Sequence, residues 1–181
     1  MKNSNIRKII FSIYAVGLLA FPLMTVWNQQ SIFDDGSIYK FKCAPIDPND
    51  IFRGKYVQLG FDNNFIPKST LSIDIGQTVY GRIAIDQAGY AFVTEIANVP
   101  FGKETYLELQ NVQDQGDIIR FDYPFNRLYM NEEKAPKAEE LFRDELSNTD
   151  AEIYARVYIT EGRFLLDDVF VNEMTLKQLV E

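Results

Sequence analysis

Few residues of this chain have the type and spacing to do chemistry. Lys68 stands beside Ser69, with Ser72 close by. Serine with lysine is the one nucleophile–base pair the composition permits, because the 181 residues include no histidine and one cysteine, Cys43. A serine–lysine hydrolase needs its lysine desolvated, so that the amine is neutral and within reach of the hydroxyl. Adjacent residues on a turn led by Pro67 do not suggest that arrangement. Two acidic pairs, Asp47 with Asp50 and Asp114 with Asp117, could hold a hard cation, but neither matches an EF-hand loop with its closing glutamate. Each pair reads better as a turn in which Asp bonds the local backbone. Carboxylate pairs for sugar hydrolysis are defined by separation in space, which spacing along the chain does not fix. Missing histidine excludes a Ser-His-Asp triad, an HExxH zinc protease and an imidazole proton shuttle. One cysteine closes no internal disulfide and builds no Cys₄ or Cys₂His₂ zinc site. From sequence, no catalytic residue, metal ligand or cofactor is assigned.

The elements that would position these groups fall into two unlike parts. Residues 9–27 (IIFSIYAVGLLAFPLMTVW) run 19 positions without a charge. At ~1.5 Å per residue, such a helix spans ~28 Å, close to the thickness of a bilayer's hydrocarbon core. Lys2, Arg7 and Lys8 precede it, and no basic residue follows until Lys40. The positive-inside rule then leaves residues 1–8 as a cytoplasmic basic tail and carries the remainder across the membrane, with Trp27 at the outer boundary. A cleaved signal peptide is the rival reading. It calls for a shorter apolar core and a small-x-small cleavage site, and residues 24–28 (MTVWN) offer none. The alternative of a buried soluble helix is the weakest of the three. Pro22 is tolerated within a membrane span.

The three N-terminal cations also divide the charge. The whole chain is at net −8 with 18 basic and 26 acidic residues; the 15 basic and 26 acidic residues that follow the anchor leave 28–181 at −11. A strongly acidic domain is a poor match for nucleic acid, which needs a basic face.

Residues 28–37 are polar and read as a linker. Beyond them the pattern is mainly β, over 38–181. Strands are expected at 38–43, 56–61, 78–86, 90–96, 105–109, 118–123, 153–160 and 163–171. Turns are expected at residues 87–89 and 114–117 and at Glu161-Gly162. Short strands at this spacing, rich in Phe and Tyr, predict an antiparallel sandwich or a partly closed barrel. Residues 136–146 (PKAEELFRDEL) instead predict one amphipathic helix, with Ala138, Leu141, Phe142 and Leu146 on one stripe packing against the barrel. A short C-terminal helix over 176–180 is expected with Thr175 as its cap. Cys43 ends an apolar strand and reads as a buried, inert thiol. An intermolecular disulfide is the alternative on an oxidising side of the membrane.

The stretch 45–61 (PIDPNDIFRGKYVQLGF) resembles the signature of the GDYXXLXY family of membrane-anchored bacterial proteins, approximately P-x-D-P-x-D-x-F-R-G-D-Y-V-x-L-x-Y. Asp47, Pro48, Asp50, Phe52, Arg53, Gly54, Tyr56, Val57 and Leu59 fall on the pattern. Lys55 stands where the family has Asp, and Phe61 where it has Tyr. Residues 125–133 and the hairpin around Glu161-Gly162-Arg163 resemble later family blocks. The likeness implies no activity. It implies a partner, since members tend to be encoded beside multi-spanning membrane proteins. Lys55 reverses the charge at a signature position, which favours a structural or partner-binding role for the motif. Arg53 is available to pair with Asp47 or Asp50, and Gly54 permits a bulge before the strand.

The expectation is a single-pass protein of the bacterial inner membrane with a periplasmic β domain, non-enzymatic and accessory to an integral membrane partner. Two alternatives accompany it: an envelope hydrolase using carboxylates or a Ser-Lys pair, and an extracytoplasmic ligand or cation sensor.

Overall fold

A computed structural model describes residues 2–44, 56–68, 76–146 and 151–181, and in the first helix it leaves aside the side chains of residues 2–6, 9, 10, 22, 25 and 28. The chain is mainly β, a nearly closed, barrel-like antiparallel arrangement with a few helices.

One five-stranded sheet has the order β12-β11-β10-β1-β3, formed by β1 (Ser37–Ala44), β3 (Gly60–Phe61), β10 (Ile153–Thr160), β11 (Arg163–Val171) and β12 (Met174–Thr175). The other has the order β4-β8-β7-β5-β6, from β4 (Phe65–Pro67), β5 (Val79–Ile85), β6 (Ala91–Ala97), β7 (Tyr106–Asp114) and β8 (Ile118–Asp122). A two-stranded ribbon of β2 (Tyr56–Gln58) and β9 (Arg127–Tyr129) completes the set. Among the described residues, every pair of strands is antiparallel.

Period-two burial fixes the register. In β10, Ile153, Ala155, Val157 and Ile159 are buried, while Tyr154, Arg156 and Tyr158 between them stay partly accessible. Phe41 and Cys43 of β1 join them on the inner face. The centre is aromatic. Tyr123 lies 5.0 Å from Phe41, 5.1 Å from Phe61 and 5.3 Å from Phe125, ring to ring. Its buried hydroxyl donates to the carbonyl of Asn63 at 2.8 Å, so the one polar atom of that ring is satisfied.

The hairpin turns match their residues. Glu161 and Gly162 both have positive φ, +47° and +77°, as a two-residue primed turn requires. Asp86 accepts from the backbone N–H groups of Ala88 and Tyr90, and Gly89 takes the positive φ of that turn. Thr175 and Gln178 form a capping box at α3 (Leu176–Leu179). The helix α2 (Ala135–Leu146) buries Ala138 and Phe142 as its stripe requires, with Ala135 added.

Several elements differ from the sequence reading: the short strands β4 and β12 are additional, β7 runs on to Asp114 past the expected end at 109, and two further changes concern 56–61 and 28–35. The alternating run 56–61 is broken at Leu59, whose N–H donates to the carbonyl of Asn126 at 2.9 Å. One half pairs with β9 and the other with β1. The polar stretch 28–35 does not form an irregular linker but continues the helix α1 (Lys2–Asp35). Its last turn is held by tertiary contact: Ile32 is buried, the Phe33 ring lies 4.7 Å from that of Tyr158, and Arg163 donates to the Ser31 hydroxyl at 3.3 Å. Gly36 ends it, where a Cβ would lie 2.3 Å from the Ile32 carbonyl oxygen.

Along α1, Phe11, Ile13, Tyr14, Leu19, Phe21 and Leu23 are all largely exposed. At about 100° per residue these positions point to every side, so the stretch from Phe11 to Trp27 has no polar face. Among the described residues, no helix is long and apolar enough to cross a membrane. The span read at 9–27 lies partly outside them, since the side chains of Ile9, Ile10, Pro22 and Thr25 are not described.

Candidate functional site

The signature strand divides its residues between core and surface. Val57, Leu59 and Phe61 are buried in the hydrophobic centre and are packing residues. Tyr56 faces the other way on β2, opposite Tyr129 of β9, and the two rings meet edge-on at 5.6 Å. The Arg127 guanidinium lies 5.1 Å from the Tyr56 ring centre, a cation–π geometry. Asp47, Pro48, Asp50, Phe52, Arg53, Gly54 and Lys55 lie outside the described residues.

Next to this tyrosine pair is a cleft of about 490 Å³. One wall is β9, with Arg127, Leu128 and Tyr129; the other includes Phe164 and Leu166 of β11. Gln110 and Asn111, at an irregularity where β7 slips against β8, line it as well. Asn111 takes φ +48° there and donates to Asp122 at 2.7 Å. Lys177, from α3, closes the remaining side. The described lining holds two cations, Arg127 and Lys177, and no carboxylate.

Lys177 is placed by a bulge. Between Arg156 and Val157, β10 meets one residue too many on β11, and Asp167 is the extra one. Asp167 pairs with Arg156, whose guanidinium also lies 4.4 Å from the Phe170 ring centre. Asp168 is turned inward and is 5% exposed. Its Oδ1 accepts from the Val169 N–H at 2.8 Å, and its Oδ2 lies 3.3 Å from Lys177 Nζ. Lys177 Nζ also donates to the Asp167 carbonyl at 3.0 Å. Burial raises the Asp168 carboxyl above its ordinary value, and the neighbouring ammonium offsets that only in part.

The other sequence candidates are engaged elsewhere. Lys68 is ion-paired to Asp114, while Ser69 and Ser72 lie outside the described residues. The Asp114 carboxylate also accepts from the Gly116 N–H at 3.0 Å. The Lys68 hydrogen bond, with that backbone donor, holds its carboxyl below the usual value. Asp117 gives its carbonyl to the Lys68 N–H at 2.9 Å. For Asp114 this is turn chemistry, its carboxylate serving the backbone of its own turn. Among the described residues, no three carboxylate or thiol groups converge as a metal site would require. Cys43 is buried, and burial pushes its thiol up to about 12.

The cleft was not foreseen as a unit. Arg127 and Tyr129 fall within a stretch that resembles the family, but Gln110, Phe164 and Lys177 come from separate elements with no shared spacing. The inward carboxylate of Asp168 depends on the Asp167 bulge, which two adjacent aspartates do not announce.

A family model described as GDYXXLXY protein matches residues 18–169. That range covers both strands of the tyrosine pair and most of the cleft lining. No curated protein and no solved structure matches the chain.

Proposed function

We propose that this chain, which belongs to the GDYXXLXY family, is a single-pass protein of the bacterial inner membrane. Its N-terminus is cytoplasmic, and its β domain stands in the periplasm as an accessory subunit to a multi-spanning membrane protein. One observation carries this reading: between Phe11 and Trp27, α1 exposes large apolar side chains on all sides, yet its last turn is packed onto the β domain through Ile32, Phe33 and Ser31. Exposed apolar surface of that extent marks a membrane or protein contact. The basic residues Lys2, Arg7 and Lys8 at its start, and none up to Lys40, favour the stated orientation. Helix running from Trp27 to Asp35 holds the domain ~12 Å beyond the apolar span. A domain carried on a continuous helix, rather than a loose tether, is suited to meet a partner at a set height.

The hydrolase reading draws less support. Lys68 is committed to Asp114, and the described cleft lining has no carboxylate to act as acid or base.

The partner is tested by purification at native expression in a mild non-ionic detergent. A multi-spanning membrane protein should be recovered in constant ratio with the chain, and should persist when residues 9–27 are replaced by an unrelated span. Recovery of the chain alone overturns the accessory role.

A further inference from the structure

The cleft between β9 and β11 is lined by cations although the domain that contains it is acidic. Residues 28–181 carry net −11, and such a domain repels free anions; the described lining nevertheless presents Arg127 and Lys177 with no acidic neighbour among the lining residues. Arg127 is exposed and makes no ion pair among the described residues. Its contact with Tyr56 holds the guanidinium in place without neutralising it. Lys177 donates to the Asp167 carbonyl and is paired with Asp168, so it is held in place and Arg127 carries the uncompensated charge of the described lining.

The rest of the cleft is built for more than a bare ion. Gln110 and Asn126 supply side-chain amides, and Phe164 and Leu166 supply apolar surface. The flanking strands also keep free edges among the described residues. β9 pairs with β2 alone, and β11 meets β12 only at Phe170 and Val171. Unpaired strand edges offer backbone donors and acceptors to an extended amide-bearing ligand. A volume of about 490 Å³ is that of a small-molecule site.

We infer that this cleft binds a small peptide-like carboxylate. Its anionic end sits between Arg127 and Lys177, its amide meets Gln110, Asn126 and the open strand edges, and its apolar side chain rests on Phe164 and Leu166. Arginine's planar fork suits a carboxylate, and inorganic phosphate would leave the amides and the apolar wall unused. The inference is independent of the anchored topology.

The test is titration of the isotope-labelled full chain, in a neutral sugar-headed detergent, followed by NMR. The probes are N-acetyl-leucine, its neutral analogue N-acetyl-leucinamide, and inorganic phosphate. N-acetyl-leucine should shift the amides of Arg127–Tyr129 and residues 164–166 saturably. Its affinity should fall about tenfold in Arg127→Gln, which removes the cation, and in Gln110→Glu, which adds a carboxylate to the lining. Both substitutions are at exposed positions, and the unchanged remainder of the spectrum reports that each variant is folded. N-acetyl-leucinamide should bind at least tenfold more weakly. Absence of saturable shifts, equal binding of the amide or of phosphate, or undiminished affinity in both variants overturns the inference.

Discussion

A Cβ built on Gly162 would lie 2.6 Å from Cε2 of Tyr106. The tip of the β10–β11 hairpin is therefore pressed against β7 of the other sheet, where Leu107 and Gly162 also form an isolated bridge. Close by, the hydroxyls of Tyr39 and Thr105 are 2.8 Å apart. This corner joins the two sheets of the barrel-like domain.

Gly162→Ala meets two penalties at once, the positive φ and the ring of Tyr106. It should destabilise the chain by about 2 kcal/mol or more, read as a lower thermal midpoint by circular dichroism. Tyr106→Ala in the same background should return part of the loss. A Gly162→Ala change that leaves the midpoint unaltered contradicts the close packing of this corner.

Cys43 should be silent toward thiol reagents. With its thiol buried and pushed up to about 12, the nucleophilic thiolate is scarce at pH 8. Labelling with iodoacetamide should proceed only after denaturation, and non-reducing gels should show no disulfide-linked dimer. Rapid labelling of the folded chain would show the inner face of β1 to be open.

Asp168 sets a pH dependence whose sign follows from its raised carboxyl. The folded state binds this proton more tightly than the unfolded chain does. Its contribution is present below the ordinary value of 3.8 and is lost as pH rises through the higher folded value. Compared with Asp168→Asn, the wild type should thus lose relative stability on going from about pH 3.5 toward neutrality. Denaturation curves of the two proteins across that range measure the difference. A relative gain by the wild type would mean that attraction to Lys177 outweighs burial.

The junction of helix and domain is also measurable. Phe33 and Tyr158 touch at 4.7 Å, and a double-mutant cycle with Phe33→Ala and Tyr158→Ala should give a coupling of about 0.5–1.5 kcal/mol. A coupling of zero would mean that the end of α1 is not seated on β10.

What the sequence disclosed, and what it hid, follows from how local each cause is. β10 and β11 were legible to the residue, because strict alternation over 153–159 and the Glu161-Gly162 turn are both short-range signals. Helix α2 was legible for the same reason, through one stripe of Ala138, Leu141 and Phe142. The split of β2 from β3 was not. It depends on Asn126, distant in sequence, taking the Leu59 N–H. The helical course of residues 28–35 was hidden too, since polar composition suggests a linker, and the contacts of Ile32, Phe33 and Ser31 with the β domain are distant in sequence. The candidate cleft is the extreme case, assembled from β7, β9, β11 and α3. No pattern within one segment could reveal that Arg127 and Lys177 line one cleft.

Anchored topology is tested most directly by fusing alkaline phosphatase or green fluorescent protein after Glu181 of the full chain, together with carbonate extraction of the membranes. An anchored helix with the domain in the periplasm predicts active phosphatase, a dark fluorescent fusion, and a chain that stays in the carbonate pellet. Fluorescence with inactive phosphatase, or release of the chain by carbonate, would contradict it.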